Sequence, residues 1–186
     1  MLCFEDFSGS GGQPDGKIDS YDRQELAKHS SPPIMFGLTL GGDWHGISLM
    51  AFFEGMAGHK KWYDDGYGRR YPAGNLAFAH WADSWSPETP NATYPKPVDW
   101  DVTFDHNPST FWLFDGSFVR LRQLNLGYNV PSKWINKVAG IRQLQVYVQA
   151  TNLFYLSKFK FYDPEIYSQM SYPNMKTLNV GISLTL

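Results

Sequence analysis

One cysteine, Cys3, stands among 186 residues, so no disulfide can close within the chain and no cysteine-based metal site can form. Charge is scarce as well. Sixteen basic residues face eighteen acidic ones, a formal balance of −2, and charged residues make up 18% of the chain, where a soluble domain carries roughly 25%. That balance excludes the basic surface a nucleic-acid partner would need. No run approaches the roughly 20 apolar residues of a membrane-crossing helix. Met1-Leu2-Cys3-Phe4-Glu5-Asp6 has neither a basic start nor a long apolar core, so no export signal is read there. The chain is expected either to be cytoplasmic or to be a piece of something longer. Catalytic patterns are missing too: His29, His45, His59, His80 and His106 have no metal-binding spacing, and no nucleophile elbow or phosphate loop appears. No enzymatic activity is expected.

Aromatics, by contrast, are abundant at 17%, alongside 17 Gly and 12 Pro. The length suits one domain, on a prior of about 100–200 residues each. Five segments alternate apolar and polar residues. In 174–186, Leu178, Val180, Ile182, Leu184 and Leu186 interleave with Thr177, Asn179, Gly181, Ser183 and Thr185. Such a period of two puts every apolar side chain on one face of a strand. The same holds for 34–44 (Ile34, Phe36, Leu38, Leu40), 45–54 (Ile47, Leu49, Ala51, Phe53) and 141–151 (Leu144, Val146, Val148, Ala150). In 117–128, Leu124, Leu126 and Tyr128 alternate cleanly, but Val119 and Leu121 fall on the other parity. Either a bulge or a segment outside the apolar zone would account for that slip.

Strands of about 9–12 residues exceed the usual soluble length of about 5–6 and suit a tilted membrane-spanning strand of about 9–11. Their links alternate between short (42–46 and 129–140) and long (55–116 and 152–173). Outer-membrane barrels show that asymmetry, with short periplasmic turns and long extracellular loops. With the C-terminus in the periplasm, residues 1–33 and both long loops lie outside the cell. Five strands cannot close a barrel whose minimum is about eight, so partner strands are required. The competing reading is a soluble β-sandwich binding module for carbohydrate.

Several stretches resemble the SusC/RagA-type TonB-linked outer-membrane transporters. They are Asp115-Gly116-Ser117-Phe118-Val119-Arg120-Leu121-Arg122-Gln123-Leu124 through Pro131, Ala150-Thr151-Asn152-Leu153-Phe154, Phe161-Tyr162-Asp163-Pro164-Glu165, and Trp85-Ser86-Pro87-Glu88 through Pro95. Asp15-Gly16-Lys17-Ile18-Asp19 with Asp22 and Arg23 resembles that family's acidic lead-in, but Asp6 is parted from it by Phe7–Pro14. The resemblance implies an all-β fold, the last five antiparallel strands of a 22-stranded transmembrane barrel, in the outer membrane of a Gram-negative bacterium. It also implies import of a glycan or peptide ligand, a SusD-like surface lipoprotein as lid, and energy from the TonB complex through an N-terminal region outside this chain.

Two groups of residues are site candidates. In the long outer loop, Trp62, Tyr63, Tyr67, Tyr71, Trp81, Trp85, Tyr94 and Trp100 lie among Gly and Pro. Trp and Tyr serve ligand stacking, interface contact and loop packing alike, and all three readings stand. Asp15, Asp19 and Asp22 fit the second half of a calcium loop, but Gly11 and Gln13 occupy its first ligand positions. Calcium wants about 6–8 oxygens, and a plain Asp-Gly turn is the alternative.

Overall fold

A computed structural model of the chain describes residues 4–26, 31–63, 79–96, 109–135, 140–166 and 171–186. The chain divides into two compact units. One comprises Ser31–His59 with Asp115–Leu186, the other Met1–Ser30 with Lys60–Phe114.

The first unit is an antiparallel sheet. Its long strands are β1 (Ile34–Trp44), β2 (Ile47–Ala57), β5 (Phe118–Asn129), β6 (Gln143–Thr151) and β8 (Thr177–Thr185), and they pair in that order. A short strand, β7 (Tyr155–Ser157), continues beyond β6 and pairs with the start of β5. β1 and β2 are joined through His45 and Gly46 alone. Both have positive φ, 47° and 87°, the combination that matches a two-residue hairpin to the strand twist. The turn is therefore tighter than the expected 42–46, and the ladder continues to the Trp44–Ile47 pair.

Register carries the period-two pattern from single strands to the whole sheet. Leu40, Ala51, Leu124, Ala150 and Leu178 form one row, and Gly42, Leu49, Leu126, Val148 and Val180 the next. Trp44, Ile47, Tyr128, Val146 and Ile182 form a third. Between them, on the other face, run Gly41, Met50, Asn125, Gln149 and Asn179, then Asp43, Ser48, Gly127, Tyr147 and Gly181. The parity slip in β5 is a bulge: Phe52 pairs with Gln123 but Phe53 with Leu121, which leaves Arg122 as the extra residue. One inserted residue restores the alternation, so Leu121 and Leu124 share the apolar face.

In the second unit, β3 (Lys60–Trp62) pairs with β4 (Leu113–Asp115), and 3-10 turns span Ser20–Asp22, Ala79–Asp83 and Thr110–Trp112. Its core is aromatic: Tyr63, Trp81 and Trp112 are buried. A single helical turn, α1 (Ser132–Ile135), lies in the link between β5 and β6 and leaves Trp134 exposed.

Candidate functional site

The apolar face of the sheet is bare. Val180 is 70% exposed, and Leu38, Leu40, Leu49, Leu126, Leu178, Ile182 and Leu184 are exposed as well. A contiguous patch of this kind is far beyond what a monomeric soluble surface carries. β1 has 11 residues; its ten steps of about 3.4 Å, at a tilt of about 40°, rise about 26 Å from first to last residue, close to the apolar band of about 25 Å in such barrels. Trp44, at the end of β1 beside the β1–β2 turn, and Trp134 in the β5–β6 link are exposed aromatics, a placement that suits an interfacial belt.

The opposite face is polar and nearly uncharged along its middle. Ser48, Asn125, Gly127, Gln145, Tyr147 and Ser183 line a shallow depression of about 290 Å³. Glycines in its floor make room for the neighbouring side chains. A Cβ on Gly127 would lie 2.6 Å from Ser48 Oγ, and one on Gly181 would run into the Tyr147 ring.

Beyond the bulge the polar face carries a charge network that sequence reasoning did not anticipate. Arg120, 1% exposed, donates from Nη2 to Asp163 Oδ1, and its guanidinium lies over the Tyr155 ring at 5.0 Å. Its Nε is 3.1 Å from Glu165 Oε2, near enough for attraction but off the hydrogen-bond direction. Arg122 donates from Nε to Glu54 Oε2 at 2.7 Å and from Nη2 to Glu165 Oε1 at 2.6 Å. Its Nη1 reaches Asn152 Oδ1 at 3.1 Å and Glu165 Oε2 at 3.2 Å. Asn174 Nδ2 donates to Glu165 Oε2 at 2.8 Å. Thus Arg120 and Arg122, two apart on β5, grip Asp163 and Glu165, two apart on the following loop. The matched spacing of opposite charges was the available signal.

The predicted aromatic residues divide three ways. Tyr63 and Trp81 are buried, grouped around Trp112, whose ring lies 5.9 Å from Tyr63 and 6.3 Å from Trp81. Their geometry is that of loop packing. Trp62, Trp85 and Tyr94 are half-buried; Tyr94 stacks on Trp112 at 6.3 Å, and burial, followed by the charge of Asp83, pushes its phenol above the usual value of 10.0. Tyr67, Tyr71 and Trp100 lie outside the described residues. Trp112, absent from the prediction, is the hub of the group. In the Trp85–Pro95 stretch, Ser86 donates to Glu88 Oε2 at 2.8 Å and accepts from Thr89 N–H, a self-contained turn.

The acidic lead-in is likewise closed on itself. Asp22 accepts from the N–H groups of Phe7 (3.0 Å), Ser8 (3.1 Å) and Asp19 (2.9 Å), and Asp19 accepts from Tyr21. Asp15 accepts from Lys17, and Asp6 from Asp15 and Gly16. Asp6 therefore returns in space to the motif from which Phe7–Pro14 separates it in sequence. Asp15, Asp19 and Asp22 spend oxygens on backbone N–H groups. Among the described residues no group of three or more His, Cys, Asp or Glu is arranged to hold a metal ion.

No family model matches the sequence. The chain is 28% identical over 188 residues to TonB-dependent receptor P26 of Formosa agariphila, a match covering 92% of this chain and 18% of that protein. It is 32% identical over 79 residues to TonB-dependent receptor SusC of Bacteroides thetaiotaomicron, covering 41% and 8%. Among solved structures, the RagAB peptide importer in its open-open state superposes with a TM-score of 0.69 at 26% identity, over 97% of this chain and 20% of that one. Its closed-closed state gives 0.69 at 27%. By sequence and by fold, this chain is similar to one part of the SusC/RagA-type TonB-linked outer-membrane transporters, and it spans about a fifth of the length of the first relatives it matches.

Proposed function

We propose that the chain supplies five adjacent wall strands and outer loops of a TonB-dependent outer-membrane importer. The bare apolar face is the observation that carries this reading: lipid is the solvent in which such a surface is stable. The edges of the sheet point the same way. β1 and β8 each pair on one side only within the described sheet, and an unpaired backbone group in lipid costs several kcal/mol, so further strands of the complete protein must flank them. The polar face then lines the lumen, the β1–β2 turn and the α1 link face the periplasm, and the two long links, after β2 and after β6, face outward. There they meet a SusD-like lipoprotein lid and a glycan or peptide cargo. Trp62, Trp85 and Tyr94 supply half-buried aromatic surface for those contacts, while Tyr63 and Trp81 hold the loop in shape.

The test uses the full-length transporter. Val180→Arg on the apolar face should lower the yield of folded, detergent-extractable barrel, at about 2–4 kcal/mol near mid-bilayer. Asn179→Arg, one residue away on the polar face, should be milder. Equal loss from the two substitutions would reverse the assignment of faces.

A further inference from the structure

Resting on the wall reading, we infer that Arg120 and Arg122 are positioning residues: they form a clasp that seats the segment from Tyr155 to Ile166 against the polar face of the sheet. Three observations converge. First, the bulge in β5 adds Arg122 without turning the apolar residues around, so two guanidiniums can serve one face at the long-loop end of the strand. Bulges often re-aim a side chain beside a functional site in this way. Second, the segment is held from both ends of its path. Tyr155–Ser157 pairs with Phe118–Arg120 in the sheet, and Asp163 and Glu165 return to the same strand through the arginines. Between them Phe159 is buried, its ring 5.5 Å from Phe161 and 4.7 Å from Tyr162. Third, the clasp has a fixed half and an accessible half. Arg120 is sealed at 1% exposure, but Arg122, Glu54 and Glu165 remain 25%, 34% and 23% exposed.

Removing one partner from a buried charge network is strongly destabilising, because the charges that remain are left uncompensated. The clasp therefore holds the segment down as a unit. Arginine's planar fork, which grips a carboxylate through two donors, suits the purpose where lysine's point charge does not. The other polar-face positions in the rows below are Asn, Gln, Thr, Ser, Gly, Met, Phe and Tyr, apart from Asp43, so this part of the wall offers the segment few alternative partners of opposite charge.

Trypsin reads the clasp directly, because the segment carries Lys158 and Lys160 with exposed side chains on either side of buried Phe159. Outer membranes bearing the full-length transporter are treated with trypsin, and cleavage between Lys158 and Phe159 is followed by mass spectrometry. Asp163→Asn with Glu165→Gln should speed that cut about tenfold, because cleavage of a segment that opens locally tracks its open population. Arg122→Gln, which leaves Arg120 in place, should give a smaller rise, and Arg122→Lys should restore little. If each variant keeps the heat-modifiable mobility of a folded barrel but is cut at the unsubstituted rate, the clasp is refuted. If the unsubstituted protein shows no such mobility, the wall reading falls first and takes the clasp's role with it.

Discussion

The sheet and the aromatic loop unit treat the same kind of side chain in opposite ways. On the sheet, Leu178, Val180 and Ile182 stand in the open. In the loop unit, Trp112, Tyr63 and Trp81 are hidden among their own rings. Composition cannot make that distinction; period can. Alternation along a strand produces a face that needs an external apolar partner, whereas aromatics scattered between glycine and proline find each other and close a core of their own. The first arrangement is stable in lipid, the second in water.

Breaking one region should leave the other intact. Trp112→Ala should have the largest effect, removing about 3–5 kcal/mol from the loop core. Hydrogen exchange in the full-length transporter should show lost protection at Tyr63, whose N–H donates to the Trp112 carbonyl at 2.9 Å, with membrane insertion unchanged. The Val180→Arg substitution makes the converse break, in the wall alone. Gly181→Val is a finer probe: its added atoms overpack the Tyr147 ring from the polar side, for about 1–3 kcal/mol, and the folded barrel should melt at a lower temperature without losing its affinity for lipid. The smallest effect belongs to the acidic lead-in. Backbone N–H donation from Asp19 first, then from Ser8 and Phe7, holds the Asp22 carboxyl below its ordinary value of 3.8. A depressed carboxyl stabilises the turn above 3.8, and that contribution disappears as pH falls through the lower folded value. An NMR titration should thus show the Phe7, Ser8 and Asp19 amide shifts moving with a midpoint below 3.8. A midpoint above 3.8 would contradict the hydrogen-bonded turn.

The wall was legible because barrel strands need little tertiary information. Residue parity alone assigns Leu178 and Asn179 to opposite faces, and of the two readings open for the slip at Val119 and Leu121, the Phe52–Phe53 register shift displays the bulge. The loops were opaque for the opposite reason. Trp112 and Trp81 meet across 31 residues of chain with no shared period, and whether a tryptophan packs inward or faces a partner depends on those distant neighbours. The arginine network lay between the two cases. Its carboxylates are 43 residues from Arg120 and Arg122, but the paired spacing could have been matched by charge. β7 was missed because Tyr155–Ser157 is too short for alternation to register.

The acidic lead-in also has a practical consequence. Asp6 reaches Gly16, and Asp22 reaches Phe7 and Ser8, so both ends of the eight-residue detour are fastened independently of what lies between them. Gly11 and Gly12 at its tip have open space where a side chain would be added. An epitope tag spliced there would extend a loop that is already tied off at its base, which makes residues 11–12 a natural handle for a label that leaves the turns on either side in place.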